Sequence, residues 1–275
     1  MCQPNPSYPH RNFDMSEFEP LNLNNEPFYW LGHKPEISHQ AVLLLHGLGG
    51  GSYELRPVAE RLSALGISVK GINYPGHDKP VTRMPSSTWQ EWYSHIEASY
   101  QELSQTHRSV SLIGFSTGCP LALKFSHQYP IDKLILLSPF LDIKRHFKVP
   151  LAPFITPISR YLQHVPRFGL PIHDRDMRRQ AQAIAFMQSF NLRAVSSALE
   201  LIQDVKPLIP NIQNPTLIIQ SSLDTVVDPQ GAEYLMQHLG STQKKLHWLR
   251  KSNHIISLDV EREEVFEQIL AFLSE

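Results

Sequence analysis

The 275-residue chain has only two cysteines, Cys2 and Cys119. That rules out a disulfide scaffold and a cysteine-rich zinc site. It has no surplus of either charge: 25 basic against 26 acidic residues leave a net of -1 with histidine neutral. A nucleic-acid binder normally carries a basic excess for phosphate contacts, so that class is set aside. No apolar run reaches the ~18 residues of a membrane-spanning helix. The first twenty residues contain neither an apolar signal core nor the basic residues that would precede one, so a cytoplasmic location is expected. Repeats and low-complexity segments are missing too. The chain does have 41% hydrophobic residues, enough for a real core.

Those residues come in short bursts. Ala41–Leu45, Ile67–Ile72, Val110–Phe115, Leu134–Leu137, Thr216–Gln220 and Lys245–Leu249 read as strands, mostly with the unbroken apolar character of a parallel sheet covered on both faces. Helical spacing fills the gaps. Glu54–Leu65, Thr88–Leu103, Thr117–Tyr129, Pro229–Leu239 and Val260–Leu273 each carry an apolar stripe. Thr88 with Glu91 forms a capping-box pattern, and Asp228 with Pro229 and Gly240 brackets the fourth helix. This alternation predicts an α/β fold with a mainly parallel central sheet and helices on both faces. Two intervals break the rhythm. Residues 1–26 read as an N-terminal arm, polar and Pro-rich at its start. Residues 141–205 are too long for one crossover. They are read as a cap over the C-terminal edge of the sheet, Pro-rich first and helical from about Asp176 to Val205. The catalytic domain is then 27–140 with 206–275.

Chemistry concentrates at strand ends. Gly114-Phe115-Ser116-Thr117-Gly118 matches G-x-S-x-G between a strand and a helix, the setting in which a sharp turn exposes a serine hydroxyl. A tight turn whose serine merely caps the helix is the bland alternative. His46-Gly47-Leu48-Gly49-Gly50 follows the first clear strand. A glycine turn there can aim backbone N–H groups at a developing oxyanion, with Leu48 and Thr117 as the expected donors. The Gly-Lys-Ser/Thr ending of a phosphate loop is absent, and His46 is read as structural. An acid and a base should follow in that order. Asp224, just past Thr216–Gln220, is the expected acid. Asp142 is the runner-up, and Asp228 is better spent capping a helix. His254, after the last strand, is the expected base. No HExxH or CxxC pattern occurs, so neither metal nor cofactor is expected.

These motifs resemble the α/β-hydrolase superfamily, and within it the bacterial carboxylesterase and monoacylglycerol lipase group. The resemblance covers roughly residues 27–274. It rests on Pro-Phe-Tyr-Trp-Leu-Gly at 27–32, Leu-Leu-Leu-His-Gly-Leu-Gly-Gly at 43–50, Tyr-Pro-Gly-His at 74–77 and Gly-Phe-Ser-Thr-Gly at 114–118. Leu-Asp-Thr-Val-Val at 223–227 and Ser-Asn-His-Ile-Ile-Ser-Leu-Asp at 252–259 complete it. It implies an α/β-hydrolase fold with Ser116, Asp224 and His254 as nucleophile, acid and base, and Leu48 and Thr117 as oxyanion donors. It also implies hydrolysis of carboxylic esters of medium-chain acyl groups or of monoacylglycerol, through an acyl-enzyme. The same triad could serve a thioester or an amide, and a non-catalytic binding protein on the scaffold is the different-class alternative. Cys119 and Pro120 depart from the family pattern, which usually has a further glycine after the elbow. Local repacking is expected there, with Cys119 a small core residue.

The expected partner is a small ester or lipid. The cap segment holds nine basic and five acidic residues, a net +4 against -5 elsewhere, together with many aromatic and aliphatic side chains. Two readings stay open: apolar residues covering the sheet with the charges solvated outside, or an acyl tunnel under a lid, with a basic rim suited to a lipid surface.

Overall fold

The computed structural model describes residues 23–33, 39–142, 158 and 162–275. Most of the N-terminal arm and the Pro-rich first half of the cap lie outside these residues.

Seven strands form one sheet in the order β1-β3-β2-β4-β5-β8-β9. They are β1 (Phe28–Trp30), β2 (Gln40–Leu45), β3 (Ser68–Gly71), β4 (Ser109–Phe115), β5 (Leu134–Leu137), β8 (Thr216–Ser221) and β9 (Lys244–Leu249). Only β1 runs antiparallel, along β3. The central strands are buried along almost their whole length, as their unbroken apolar runs require. Helices α1 (Arg56–Ala64), α2 (Trp89–Thr106), α3 (Gly118–Gln128), α6 (Gln230–His238) and α7 (Arg262–Leu273) cover the faces. Two apolar clusters result, one on each face of the sheet. Leu43, Trp92 and Phe125 belong to one, Leu44, Val58 and Phe266 to the other.

Local signals set several boundaries. The Thr88 hydroxyl accepts from the Glu91 N–H while the Glu91 carboxylate accepts from the Thr88 N–H, so the capping box is formed. Asp228 accepts from the Gln230 N–H at 3.0 Å, but α6 starts one residue later than its Pro suggests. At the other end of the chain, the arm's last residues are docked. Arg56 donates to the Asn24 and Glu26 carbonyls and Asn73 to the Asn25 carbonyl, which anchors residues 24–26 on the core.

Between β5 and β8 the described part of the cap holds β6 (His164–Pro166), α4 (Arg175–Ile184), β7 (Ser189–Asn191) and α5 (Leu192–Val205). The stretch read as helical from about Asp176 to Val205 is two helices with a short strand between them. β7 pairs antiparallel with β6, and the Gln188 N–H goes to the Thr82 carbonyl, so tertiary pairing overrides a locally helical stretch. Asn191 then caps α5 through the Arg193 and Ala194 N–H groups.

One carboxylate ties this cap to the core. Asp259 is fully buried. Its Oδ1 accepts the N–H groups of His173, Asp174 and Val260, each at 2.8 Å, and its Oδ2 accepts that of Asn253 at 2.6 Å. Arg262 adds an ion pair to Asp174 at 2.7 Å. Removing Asp259 strands one buried donor and three part-buried ones, a fully buried donor costing about 1–3 kcal/mol and the others less. Asp259→Ala is expected to lower stability by roughly 2–4 kcal/mol and the melting temperature by about 5–12 °C, measured by thermal unfolding.

Candidate active site

The parallel strands end on one side of the sheet, and the loops that follow them meet there. β2 leads into His46–Gly50, β4 into Ser116, β8 into the turn carrying Asp224, and β9 into the loop carrying His254.

Ser116 sits at a turn so sharp that its φ is +52°, the left-handed region that a non-glycine residue rarely adopts. Flanking contacts hold it. Its N–H donates to the Leu137 carbonyl at 2.9 Å, and its carbonyl accepts the Cys119 N–H at 3.0 Å. A Cβ on Gly118 would lie 2.1 Å from the Leu45 carbonyl oxygen, and one on Gly114 would lie 2.6 Å from the Gly118 oxygen. Only glycine lets α3 start this close to β2. Cys119 fills the adjoining space, its thiol within reach of the Gly114 and Leu137 carbonyls. Pro120 falls in the first turn of α3, where a missing N–H costs nothing.

Ser116 Oγ is 3.0 Å from His254 Nε2, and His254 Nδ1 is 2.8 Å from Asp224 Oδ2. All three side chains are buried. For the Asp224 carboxyl, burial opposes ionisation. The charge of His254, its hydrogen bond and the N–H groups of Val226 and Val227 outweigh burial and hold it below the usual carboxylate range. An ionised Asp224 can only accept. The proton therefore sits on Nδ1, and Nε2 is left to accept from the serine hydroxyl. Ser138, itself at φ +48° after β5, donates to the His254 carbonyl at 2.8 Å. Asn253 accepts from Thr225, joining the turn of Asp224 to the loop of His254. Glu261 accepts the N–H groups of Arg250, Lys251 and Ser252 on that loop. The backbone carbonyl of the runner-up Asp142 accepts the Asp228 N–H at 3.1 Å.

The His46–Gly50 turn has most of its donors tied inward. The Gly47 N–H goes to Glu54 Oε2 at 2.9 Å, that of Gly49 to His77 Nε2 at 3.0 Å, and that of Gly50 to the Gly47 carbonyl at 3.2 Å. The Gly47 carbonyl also accepts from His46 Nδ1 at 2.8 Å. A planar trans peptide sends its C=O and N–H in opposite directions, so holding the Gly47 carbonyl inward turns the Leu48 N–H outward. No hydrogen bond engages the N–H of Leu48 or of Thr117 among the described residues, and both residues line the same cavity as Ser116. His46 and His77 are buried and each uses Nε2 to accept a backbone N–H. Burial pushes His46 well below its usual value and His77 down to about 4, so both imidazoles are neutral and structural.

The cavity measures about 740 Å³, and its mostly apolar lining includes Phe115, Phe140, Phe190, Leu192, Val195 and Val227. Two charged residues unforeseen from the sequence also line it. Burial pushes the Glu54 carboxyl up to about 7, against the opposing pull of Arg167, the Gly47 and Gly51 N–H groups and His254. Arg167 comes from the cap and donates to the Gly49 carbonyl at 2.6 Å. It departs from the reading in which the cap's charges are all solvated outside. Lys144, Arg145, Lys148 and Arg160 of that reading lie outside the described residues. Glu54, an acid among small and apolar residues just past the glycine turn, was a signal open to sequence reasoning. Arg167, in Pro166-Arg167-Phe168-Gly169, offered none. Among the described residues no cluster of His, Cys, Asp or Glu is placed to hold a metal ion.

Comparison with known proteins bears on this arrangement. Residues 36–261 match the family model described as serine aminopeptidase, S33. The chain is 26% identical to a thermostable monoacylglycerol lipase of Bacillus sp. (strain H-257), covering 94% of this chain and 98% of that one. It is 23% identical to a carboxylesterase of Bacillus subtilis (strain 168), covering 85% and 92%. Among solved structures, one from a study of LipS and LipT, two metagenome-derived lipolytic enzymes, superposes with a TM-score of 0.80 at 26% identity over 91% of this chain and 98% of that one. A soluble variant of the monoglyceride lipase from Saccharomyces cerevisiae shares the fold, with a TM-score of 0.75 at 16% identity over 90% of each chain. With a mainly parallel sheet, a serine at the turn after β4 and a family match over most of its length, the chain belongs to the serine aminopeptidase S33 family of α/β-hydrolases.

Proposed function

We propose that this protein is a serine hydrolase of carboxylic esters, acting on medium-chain acyl esters or monoacylglycerol through an acyl-enzyme on Ser116. The observation that carries this reading is the chain Ser116 Oγ–His254 Nε2 at 3.0 Å and His254 Nδ1–Asp224 Oδ2 at 2.8 Å, opening on an apolar cavity. In this scheme His254 Nε2 takes the hydroxyl proton as Oγ attacks the ester carbonyl. The carbonyl oxygen becomes an oxyanion facing the N–H groups of Leu48 and Thr117. Asp224 holds the imidazole in its tautomer and stabilises the imidazolium, which then protonates the departing alcohol. Water, deprotonated by the same His254, releases the acid and restores Ser116.

The cavity and the relatives support this substrate class. The aromatic and aliphatic lining suits an acyl chain, and the relatives are named monoacylglycerol lipase and carboxylesterase. The family description names an aminopeptidase, which keeps amide hydrolysis as the second reading. Contact with a lipid surface is supported by Phe168 at 92% exposure on the cavity rim and by the exposed cap residues Arg175, Arg179 and Arg193.

Three measurements test these statements. A fluorophosphonate probe is expected to label Ser116, and Ser116→Ala is expected to lose labelling and about 10⁵–10⁶ of kcat. Full activity in that variant would end the proposal. Across p-nitrophenyl esters of increasing length, kcat/KM is expected to peak at medium chains and to exceed the values for acyl-CoA and aminoacyl amides. The opposite order would favour the thioester or amide reading. Sedimentation with anionic vesicles is expected to carry the protein down at low salt and to weaken with Phe168→Ser. Equal recovery without vesicles would remove the lipid-surface contact.

A further inference from the structure

The glycine turn that carries Leu48 is gripped by the cap as well as by the core. Arg167 follows β6, and its Nη1 donates to the Gly49 carbonyl at 2.6 Å. The guanidinium stands 5.4 Å from the Phe190 ring centroid. That ring crowds Gly49, where a Cβ would come within 2.7 Å of it. Gly49 is itself at φ +67°, a conformation glycine adopts without strain. The cap thus presses a cation and an aromatic ring onto one peptide unit.

Two peptide planes transmit this contact. The Gly49 carbonyl and the Gly50 N–H share a plane and point in opposite directions. With the carbonyl held by Arg167, the Gly50 N–H faces the Gly47 carbonyl, which it meets at 3.2 Å. The Gly47 carbonyl shares the next plane with the Leu48 N–H. Fixing one end of this relay fixes the other.

We propose that Arg167 is a positioning residue for the oxyanion donor: by holding the Gly49 carbonyl, it aims the Leu48 N–H at the reacting carbonyl. The inference rests on the serine-hydrolase reading above and makes the cap a part of the oxyanion site. Arg167 touches neither nucleophile nor base in this scheme. Its loss leaves Ser116, His254 and Asp224 in place and misdirects one donor.

The test compares Arg167→Met and Arg167→Lys with the unaltered protein on a p-nitrophenyl ester and on its thionoester, whose sulfur takes poorly to N–H donors. Losing one oxyanion donor costs about 10²–10³ in kcat, and a misaimed one somewhat less. For Arg167→Met, kcat on the oxygen ester is expected to fall about 10–100-fold with KM within threefold. The ratio of oxygen-ester to thionoester rates is expected to fall several-fold. Arg167→Lys, which can still donate to the Gly49 carbonyl, is expected to recover most of kcat and of the ratio. An Arg167→Met protein with kcat within twofold, or with reduced kcat and an unchanged ratio, overturns the inference. If the methionine variant does not fold, as read by thermal melting, the lysine variant decides: a ratio as collapsed as that of a donor-free site overturns it, and a preserved ratio supports it. Fluorophosphonate labelling of the unaltered protein separates the two levels. Its failure sinks the serine reading itself, whereas labelled protein with an insensitive ratio sinks the role of Arg167 alone.

Discussion

Helix α3 begins in contact with the backbone of β2, with Gly118 against the Leu45 carbonyl, and the rest of the site is arranged around that closeness. A side chain at 118 would push the helix away from the sheet. The left-handed turn at Ser116 would then lose the contacts that hold it, and its hydroxyl would leave the line of His254. Strain of order 1–3 kcal/mol at such a residue persists only where the surroundings over-determine it. Here they do so from both sides: through the Ser116 N–H to Leu137, and through the Ser116 carbonyl to Cys119 and Phe140.

The loops around that turn are ordered by carboxylates that accept backbone N–H groups rather than by ion pairs on the surface. Asp224 accepts two N–H groups of its own turn as well as the imidazole. Asp259 and Glu261 between them hold six N–H groups on the cap and the His254 loop, besides the Val260 N–H. Glu54 holds the glycine turn. A buried carboxylate is costly alone, and several converging N–H donors are what make its burial tolerable. Each such acid converts a flexible loop into one with a single arrangement.

Much of this was readable from the chain. Ser116, Asp224 and His254 each stood just beyond an apolar burst, and in a parallel sheet such positions share one edge. The glycines at 47, 49 and 50 marked the turn that isolates Leu48. Other features were hidden for physical reasons. β1 is only three residues, too short for its alternation to register. Residues 185–191 contain nothing that forbids helix, and only pairing with β6 makes Ser189–Asn191 a strand. Asn191 was a capping signal in plain view. Arg167 acquires its partner 118 positions away in the chain, and no local pattern can announce that.

The two rims of the sheet carry a further consequence. An open parallel sheet ends in unpaired N–H and C=O groups that invite a stranger's strand. At one rim β1 offers only a three-residue ledge, and the Arg56 guanidinium lies 4.6 Å from the Phe28 ring centroid and 5.4 Å from that of Trp30. At the other, β9 displays Lys244 and Lys245, the latter paired with Glu275. Brevity guards one side and charged side chains the other, so the sheet that builds the site is a poor template for cross-β growth.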